Sequence, residues 1–386
     1  MRILILKPQE ICYGIMDVIA DNLGKALSRT GVAVLYFDMK KEPVENLAQY
    51  AGGKYAAVID VYSGLLSVTI PQGNSFWSCV DAPVYQICVD FPVYIRNKMS
   101  ADLHRYFVLC MDRHYCGVVR ECMPNVTDAF FFPMAGTEGG KKKSWEERRH
   151  DLVFIGSYTD YRGWLASLER CEAGIKRLGY ALFDTMCRHT ELDQKQAFER
   201  TLAQMNIRLK TEEFYQWFQT IDGIAMSAAA YQREQVVRTL LEAGLQVEVY
   251  GNSWEKAPFA HDENLIVHEQ VDEAGYISVL EDTKLSLNIM YCNKAGYSER
   301  YSYSMLNGAV CVSDTSEYLE EEFADGEDIV FYRLDRLTEL PDRVRRLLEC
   351  PDDAKRIADA AYGKAKHRHT WEARAEQFLK LLREER

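Results

Sequence analysis

The sequence predicts an α/β protein of two doubly wound domains, the second carrying a helical insert. Three observations predict it. The apolar runs, RILIL and VAVLYFD first among them, are continuous rather than alternating, as strands buried on both faces of a parallel sheet are. Amphipathic stretches of helical period separate those runs, so that strands alternate with covering helices. Finally, 386 residues exceed what one hydrophobic core ordinarily supports, and a glycine-and-charge segment offers a boundary.

The first domain is read over 1–132. Strand RILIL leads to helix MDVIADNLGKALSR, strand VAVLYFD, a helix near Pro43 to Tyr50 and strand YAAVIDVYS; VYQICVDF, YFVLCMD and AFFFP complete the sheet. AGTEGGKKKSWEERRH then breaks the rhythm, and 133–150 reads as a hinge. The second domain, 151–386, opens with strand DLVFIGS. Over about 162–220 no strand pattern appears; LASLERCEAGIKRLG, QKQAFERTLAQM and EEFYQWFQTI have helical periodicity and form the insert. The α/β rhythm resumes with helix AYQREQVVRTLLEAG, strands LQVEVYG and NLIVHE, a helix near AGYISVLED and strand KLSLNIM. NKAGYSERYSYSMLNGAVCVSD runs from loop to helix to strand. Helices at SEYLEEEF, LPDRVRRLLEC, PDDAKRIADAAYGKAKH and TWEARAEQFLKLLREER follow, the last expected to pack back on the first domain.

Hydrophobic residues at 47% and charged residues at 27% exclude a disordered chain. A formal net charge of -12 opposes general binding to nucleic acid or to anionic membranes, which needs a basic face. MRILILKPQE reads as neither signal peptide nor anchor, and no run of about 18 apolar residues follows, so a cytoplasmic protein without stable membrane insertion is expected. The 11 cysteines, odd in number and scattered through segments such as QICVD and YFVLCMD, read as reduced core thiols. No GxGxxG, Walker, Asp-x-Asp or nucleophile-elbow pattern occurs. Cys110, Cys116 and Cys122 lack the short pair spacing of a zinc site, so neither a cofactor nor a metal is expected.

Doubly wound sheets bind ligands at the carboxyl ends of their strands, and two such domains on a hinge are expected to face each other across a cleft there. Three strand ends of the second domain suit a phosphorylated ligand: FIGSYTDYR, VYGNSW and NIMYCNKAGYSER. A helix beginning at Ser298 directs its free N–H groups and positive dipole end at the preceding loop, which holds Asn293 and where Gly296 permits close backbone approach. Arg300 adds a planar fork able to grip two phosphate oxygens, and Gly308 stops the helix. Arg300, Tyr303, Ser304 and Asn307 share one polar side; Tyr301 and Met305 form an apolar pair. The alternative is a surface Arg300 paired with a carboxylate such as Glu299. Gly156 and Ser157 follow LVFI, where small residues either admit a ligand to the backbone or merely serve the turn. Arg233, at the start of its predicted helix, faces the ligand or solvent. Gly251 ends another strand, beside Trp254, a core residue or a sugar platform.

VEVYGNSW, KLSLNIMYCNKAGYSERYSYSMLNGAVCVSD and the tail from EYLEEEFADGEDIVFY through HTWEARAEQFL resemble bacterial glycosyltransferases of the two-Rossmann (GT-B) architecture, in the branch that includes spore-maturation-type proteins. The first domain matches in general layout only. The resemblance implies a second domain that binds a nucleotide-diphosphate sugar and a first domain that holds a glycan, protein or small-molecule acceptor. Arg300 matches the family's Arg before the small-residue helix cap, and Gly308 matches the cap. Where many relatives place a Glu that bonds the nucleotide ribose, this chain has Tyr303, whose phenol cannot offer two carboxylate oxygens. Glu299 substitutes only if the loop turns it inward.

A departing nucleoside diphosphate gathers negative charge, which without a metal has to meet Arg300, the helix end, and Arg233 or the Gly156 and Ser157 amides. The donor-binding set is therefore Gly156, Ser157, Arg233, Gly251, Asn293, Gly296, Ser298, Glu299, Arg300 and Tyr303. For the base that takes the acceptor's proton, the first domain offers Asp90, at the end of VYQICVD, and His104; strand-end carboxylates also cap helices. The expectation is metal-independent sugar transfer from a nucleotide-diphosphate donor to an acceptor hydroxyl, with Arg300, Asp90 and His104 carrying the chemistry. A non-catalytic nucleotide-sugar-binding protein, which the Tyr303 departure leaves open, and a GT-B nucleotide-sugar epimerase are the alternatives.

Overall fold

The computed structural model describes residues 1–9, 14–67, 76–141, 143–291 and 293–385. They form two compact units, Met1–Thr137 together with His367–Arg386, and Glu138–Lys366.

The first unit is built from β1 (Arg2–Lys7), α1 (Ile15–Arg29), β2 (Ala33–Asp38), β3 (Ala57–Asp60), β4 (Val84–Cys88), β5 (Tyr106–Cys110), α2 (Arg113–Cys122) and β6 (Asp128–Phe131). Its strands make one parallel sheet in the order β2-β1-β3-β4-β5-β6. Ile3 to Leu6 and Tyr106 to Cys110 are buried without a break, because both faces of the sheet are covered. Around Pro43 to Tyr50 the expected helix is a 3-10 helix, Val44–Tyr50, and Pro92 opens another, Pro92–Met99. Three residues per turn suit such short crossovers.

The second unit contains β7 (His150–Ile155), α3 (Tyr161–Ser167), α4 (Ala173–Arg188), α5 (Gln194–Gln204), α6 (Thr211–Thr220), α7 (Asp222–Glu242), β8 (Val247–Tyr250), β9 (Leu265–His268), α8 (Glu273–Glu281), β10 (Thr283–Asn288), α9 (Glu299–Leu306), β11 (Val310–Asp314), α10 (Glu317–Glu322), β12 (Val330–Tyr332) and α11 (Leu340–Glu349), with α12 (Pro351–Arg368) carrying the chain to its boundary. Helices α3 to α6 are the insert. The parallel sheet runs β12-β11-β10-β7-β8-β9. From β7 the chain builds outward through β8 and β9, then returns to lay β10 on the other side of β7. The loops leaving β7 and β10 therefore diverge, and a crevice opens at their carboxyl ends.

Three features depart from the sequence reading. Strand β12 is only three residues, too short to show a period, and was not expected. Helix α7 starts at Asp222, since DGIAMSAAA continues it on small helix-favouring residues, and Arg233 consequently lies mid-helix. Within 133–150, Trp145 joins the second unit's core and Arg148 is buried, its Nη1 donating to the carbonyls of Leu280 (3.1 Å) and Thr283 (2.6 Å) and its Nη2 to that of Asn307 (3.0 Å).

The closing helix α13 (Trp371–Glu384) is part of the first unit. Phe378 packs edge-on against Tyr85 at 5.0 Å, and Gln377 Nε2 donates to the Phe131 carbonyl at 2.9 Å. Among the described cysteines, Cys88, Cys110, Cys116, Cys122 and Cys311 are buried, whereas Cys79, Cys171 and Cys350 are exposed at turns and helix ends. Cys12 and Cys292 lie outside the described residues.

Candidate functional site

The site starts from how α9 is seated. Tyr301 and Met305 pack into a cluster with Tyr297, Leu319 and Phe323, which fixes the rotation of the helix about its axis. Ser298 is the N-cap: its Oγ accepts from the Arg300 amide at 3.4 Å and donates to Glu299 at 2.9 Å. With the apolar stripe held, Arg300 turns toward the carboxyl end of β7, and its Nη1 donates to the Ile155 carbonyl at 2.6 Å. Among the described residues Arg300 makes no ion pair, so the pairing with Glu299 is not formed.

Arg233 reaches the same place from α7. Its Nη1 donates to the Ser157 carbonyl at 2.6 Å, and the two guanidinium carbons lie 5.5 Å (Arg233) and 5.9 Å (Arg300) from the centre of the buried Phe154 ring. Two cations thus bracket Gly156 at the switch point of the sheet. A β-carbon on Gly156 would come within 2.9 Å of the Phe154 ring and 3.4 Å of Arg300 Nη1. Gly251, at the end of β8, has φ +154°, and a β-carbon there would sit 2.7 Å from the Gly156 carbonyl and 2.8 Å from the Ser157 nitrogen. These two glycines let the strand ends approach closely.

The same packing corrects one expectation. The Gly156 amide donates to the Tyr250 carbonyl at 2.8 Å and is not open to an anion, while its carbonyl accepts from Trp254 Nε1 at 2.8 Å. Trp254 is fully buried, a core residue rather than a platform.

Along α9 the polar side is internal. Tyr303 is 2% exposed, Ser304 bonds Ser286 at 2.8 Å, and Asn307 Nδ2 donates to the Tyr303 carbonyl at 2.8 Å. Tyr303 Oη donates to Glu273 Oε1 at 2.6 Å, which places a carboxylate of α8 against α9. Sequence reasoning missed Glu273, because an acidic residue in a first helical turn reads as an ordinary dipole partner. Tyr276 stands edge-on to Tyr303 at 5.2 Å; burial pushes its phenol up, against the pull of Arg300 and with a push from Glu299. Asn293 and Gly296 are buried in the loop before α9: the Asn293 amide donates to the Met290 carbonyl at 3.1 Å, and the Gly296 carbonyl accepts from Ser316 Oγ at 3.1 Å.

In the first unit, Asp90 is exposed just beyond β4, and its Oδ2 accepts from Tyr62 Oη at 2.6 Å. His104 is exposed just before β5. In a parallel sheet those positions lie at opposite edges, so the structure does not bring the two together. A carboxyl that the sequence did not single out is Asp60, the last residue of β3: fully buried, it is pushed up to about 6 by burial, against the hydrogen bonds from the Ser63 amide and hydroxyl.

A cavity of about 240 Å³ lies at the ends of β11 and β12, lined by Lys294, Asp314, Ser316 and Arg333 among others. None of Arg300, Arg233 and Gly156 lines it, so the guanidinium cluster, not this cavity, defines the site.

Residues 232–380 match the model of a family described as glycosyl transferase-like. Among solved structures, the chain is similar to T4 phage β-glucosyltransferase in complex with its UDP-glucose substrate, at 14% identity and a TM-score of 0.58 over 99% of both chains. It is also similar to Anabaena HepE in complex with UDP-glucose, at 10% identity and a TM-score of 0.55 over 100% of both chains. The fold is the GT-B fold that the resemblance implies. No curated protein matches the chain in sequence.

Proposed function

We propose that this chain, a GT-B protein with a glycosyl transferase-like domain over 232–380, is a glycosyltransferase that moves a sugar from a nucleotide-diphosphate donor to an acceptor hydroxyl. The observation that carries the reading is the pair of guanidiniums, Arg300 and Arg233, set on either side of Gly156 at the switch point of the second sheet. A diphosphate there meets two positive forks. Each donates through Nη1 to a neutral carbonyl, that of Ile155 for Arg300 and that of Ser157 for Arg233.

As the glycosidic bond breaks, its electron pair leaves on the diphosphate oxygen, and fixed positive charge beside that oxygen lowers the barrier. Arg300, Arg233 and the α9 N-terminus supply that charge in this proposal, and no step calls on a metal. The acceptor hydroxyl loses its proton to a base, for which Asp90 is the residue we propose; His104, at the other edge of its sheet, drops out. The structural neighbours' complexes with UDP-glucose make UDP-glucose the first donor to test. We place the activity in the cytoplasm. Free cysteines such as Cys88, Cys110, Cys311 and Cys350 fit a reducing compartment, and among the described residues no helix is long and apolar enough to cross a membrane.

The test is a thermal-shift screen against UDP-, GDP-, dTDP- and CDP-glucose, followed by release of nucleoside diphosphate from whichever binds. Binding with slow release to water supports a transferase. Tyr303 in place of a family Glu keeps a second reading, a nucleotide-sugar-binding protein without turnover, which predicts saturable binding and no release. The absence of binding by any of the four overturns both.

A further inference from the structure

Tyr62 has φ +60°, in the left-handed region. Besides Tyr62, Asn206 and Ser253 are the described non-glycine residues with positive φ; asparagine's short polar side chain suits that region, whereas a bulky aromatic there is an outlier. The cause is visible in the turn. Asp60 is buried at the end of β3, and its Oδ1 accepts from the Ser63 amide at 3.3 Å and from the Ser63 hydroxyl. The Val61 amide is meanwhile held by the Leu6 carbonyl at 3.0 Å. The chain is pinned on both sides of Tyr62 and has to turn there. A glycine or asparagine would make that turn without strain. What tyrosine adds is a ring and a hydroxyl. The ring carries the Lys98 ammonium 3.8 Å from its centre, and the hydroxyl donates to Asp90 Oδ2 at 2.6 Å.

A hydrogen bond to an exposed carboxylate adds little to stability, because water makes the same bond when the protein does not. The ring is buried, at 8% exposure, so packing accounts for an aromatic at this position; the hydroxyl, which phenylalanine would lack, is accounted for by what it does to the carboxylate. Extending the proposed function, and resting on its assignment of Asp90, we propose that Tyr62 is the positioning residue for Asp90: it holds Oδ2 and aims Oδ1 at the acceptor hydroxyl. In the step so organised, the acceptor O–H bond breaks and its proton goes to Asp90 Oδ1. The oxygen's electron pair forms the bond to the anomeric carbon, and the bond from that carbon to the diphosphate breaks, its pair leaving with the phosphate. In the absence of an acceptor, water enters in its place.

The experiment follows UDP release from UDP-glucose by the full chain and by Tyr62→Phe, Asp90→Asn and the double variant. Tyr62→Phe keeps the ring and its cation contact, and should lower kcat about 10- to 100-fold with KM for UDP-glucose and melting temperature unchanged. The double variant should be no slower than Asp90→Asn alone, the signature of one residue acting through the other. Should phenylalanine disturb the turn, Tyr62→Asn, which favours the same backbone conformation, should still fold and still lose kcat. An inactive Asp90→Asn beside a fully active Tyr62→Phe, or two losses that simply multiply, overturns the positioning role and leaves Asp90 as the base. An active Asp90→Asn, or no release of UDP by the unaltered chain, overturns that assignment and this one with it.

Discussion

Arg300 donates from Nη1 to the carbonyl oxygen of Ile155 at 2.6 Å, which holds the guanidinium at the start of α9 against the last residue of β7, 145 positions away in the chain. The contact is to a neutral acceptor. An incoming diphosphate replaces a carbonyl by an anion without first having to break an ion pair, so the arrangement is ready for charge.

Replacing Arg300 by alanine should therefore weaken UDP binding about 10- to 100-fold, the worth of one or two charge-assisted hydrogen bonds, while the melting temperature moves by no more than about 2 °C. Arg300→Lys should recover only part of the affinity, since an ammonium lacks the fork. Calorimetric titration with UDP reads both; wild-type affinity in the alanine variant refutes the assignment.

Gly251→Ala tests the close approach of strand ends. A methyl group there meets the Gly156 carbonyl at 2.7 Å and the Ser157 nitrogen at 2.8 Å, backbone atoms that cannot swing aside. Gly244 also has positive φ, at 75°, but nothing lies within 4 Å of its would-be β-carbon. Gly244→Ala should thus cost about 1 kcal/mol from backbone strain alone, and Gly251→Ala at least about 2 kcal/mol together with a loss of UDP affinity. Equal losses in denaturant titrations would show that the site's packing does not matter.

Acid should remove a definite part of the second unit's stability. Burial works against ionisation of Asp282, yet hydrogen bonds from Lys143 and Arg149 outweigh it and hold the carboxyl down to about 2. A depressed folded value means that the contribution is present above the unfolded value near about 4 and is lost as pH falls toward about 2. Its size is on the order of 2 kcal/mol or less, since solvent screens the exposed Arg149. The stability gap between wild type and Asp282→Asn should close over that interval; a gap that stays constant down to about pH 2 contradicts the ion pair.

Asp60 behaves in the opposite sense. Its folded value is raised to about 6 by burial, so its contribution is present below about 4 and is lost as pH rises through about 6. Asp60→Asn escapes this loss and still offers an oxygen to Ser63. The difference in melting temperature, variant minus wild type, should be more positive near about pH 7.5 than near about pH 4. A difference independent of pH would mean that Asp60 ionises as freely folded as unfolded.

Local chemistry made much of the fold legible. Continuous apolar runs announced β1, β5, β7 and β10, because strands covered on both faces have no polar side to show. Ser298 and Gly308 marked the ends of α9, since a hydroxyl cap and a left-handed glycine are local devices. Strand β12 was too short for a period, and the start of α7 was hidden in residues with no apolar face to follow. In the candidate site, Arg300 drew notice through its place at a helix start, but Glu273 and Asp60 did not, because an acidic residue looks the same in sequence whether it faces solvent or a buried partner.

By itself, then, the sequence determined two parallel sheets, the crossover rhythm between strands, and a guanidinium at the head of a capped helix. All of these follow from the preferences of residues and their near neighbours. Only the tertiary structure decided that Arg233 joins Arg300 over Phe154 and that the Gly156 amide is taken by Tyr250. Each of these depends on which strand lies beside which and on how a helix is rotated about its axis. Those are settled by the packing of residues far apart in the chain, and no short stretch of sequence contains them.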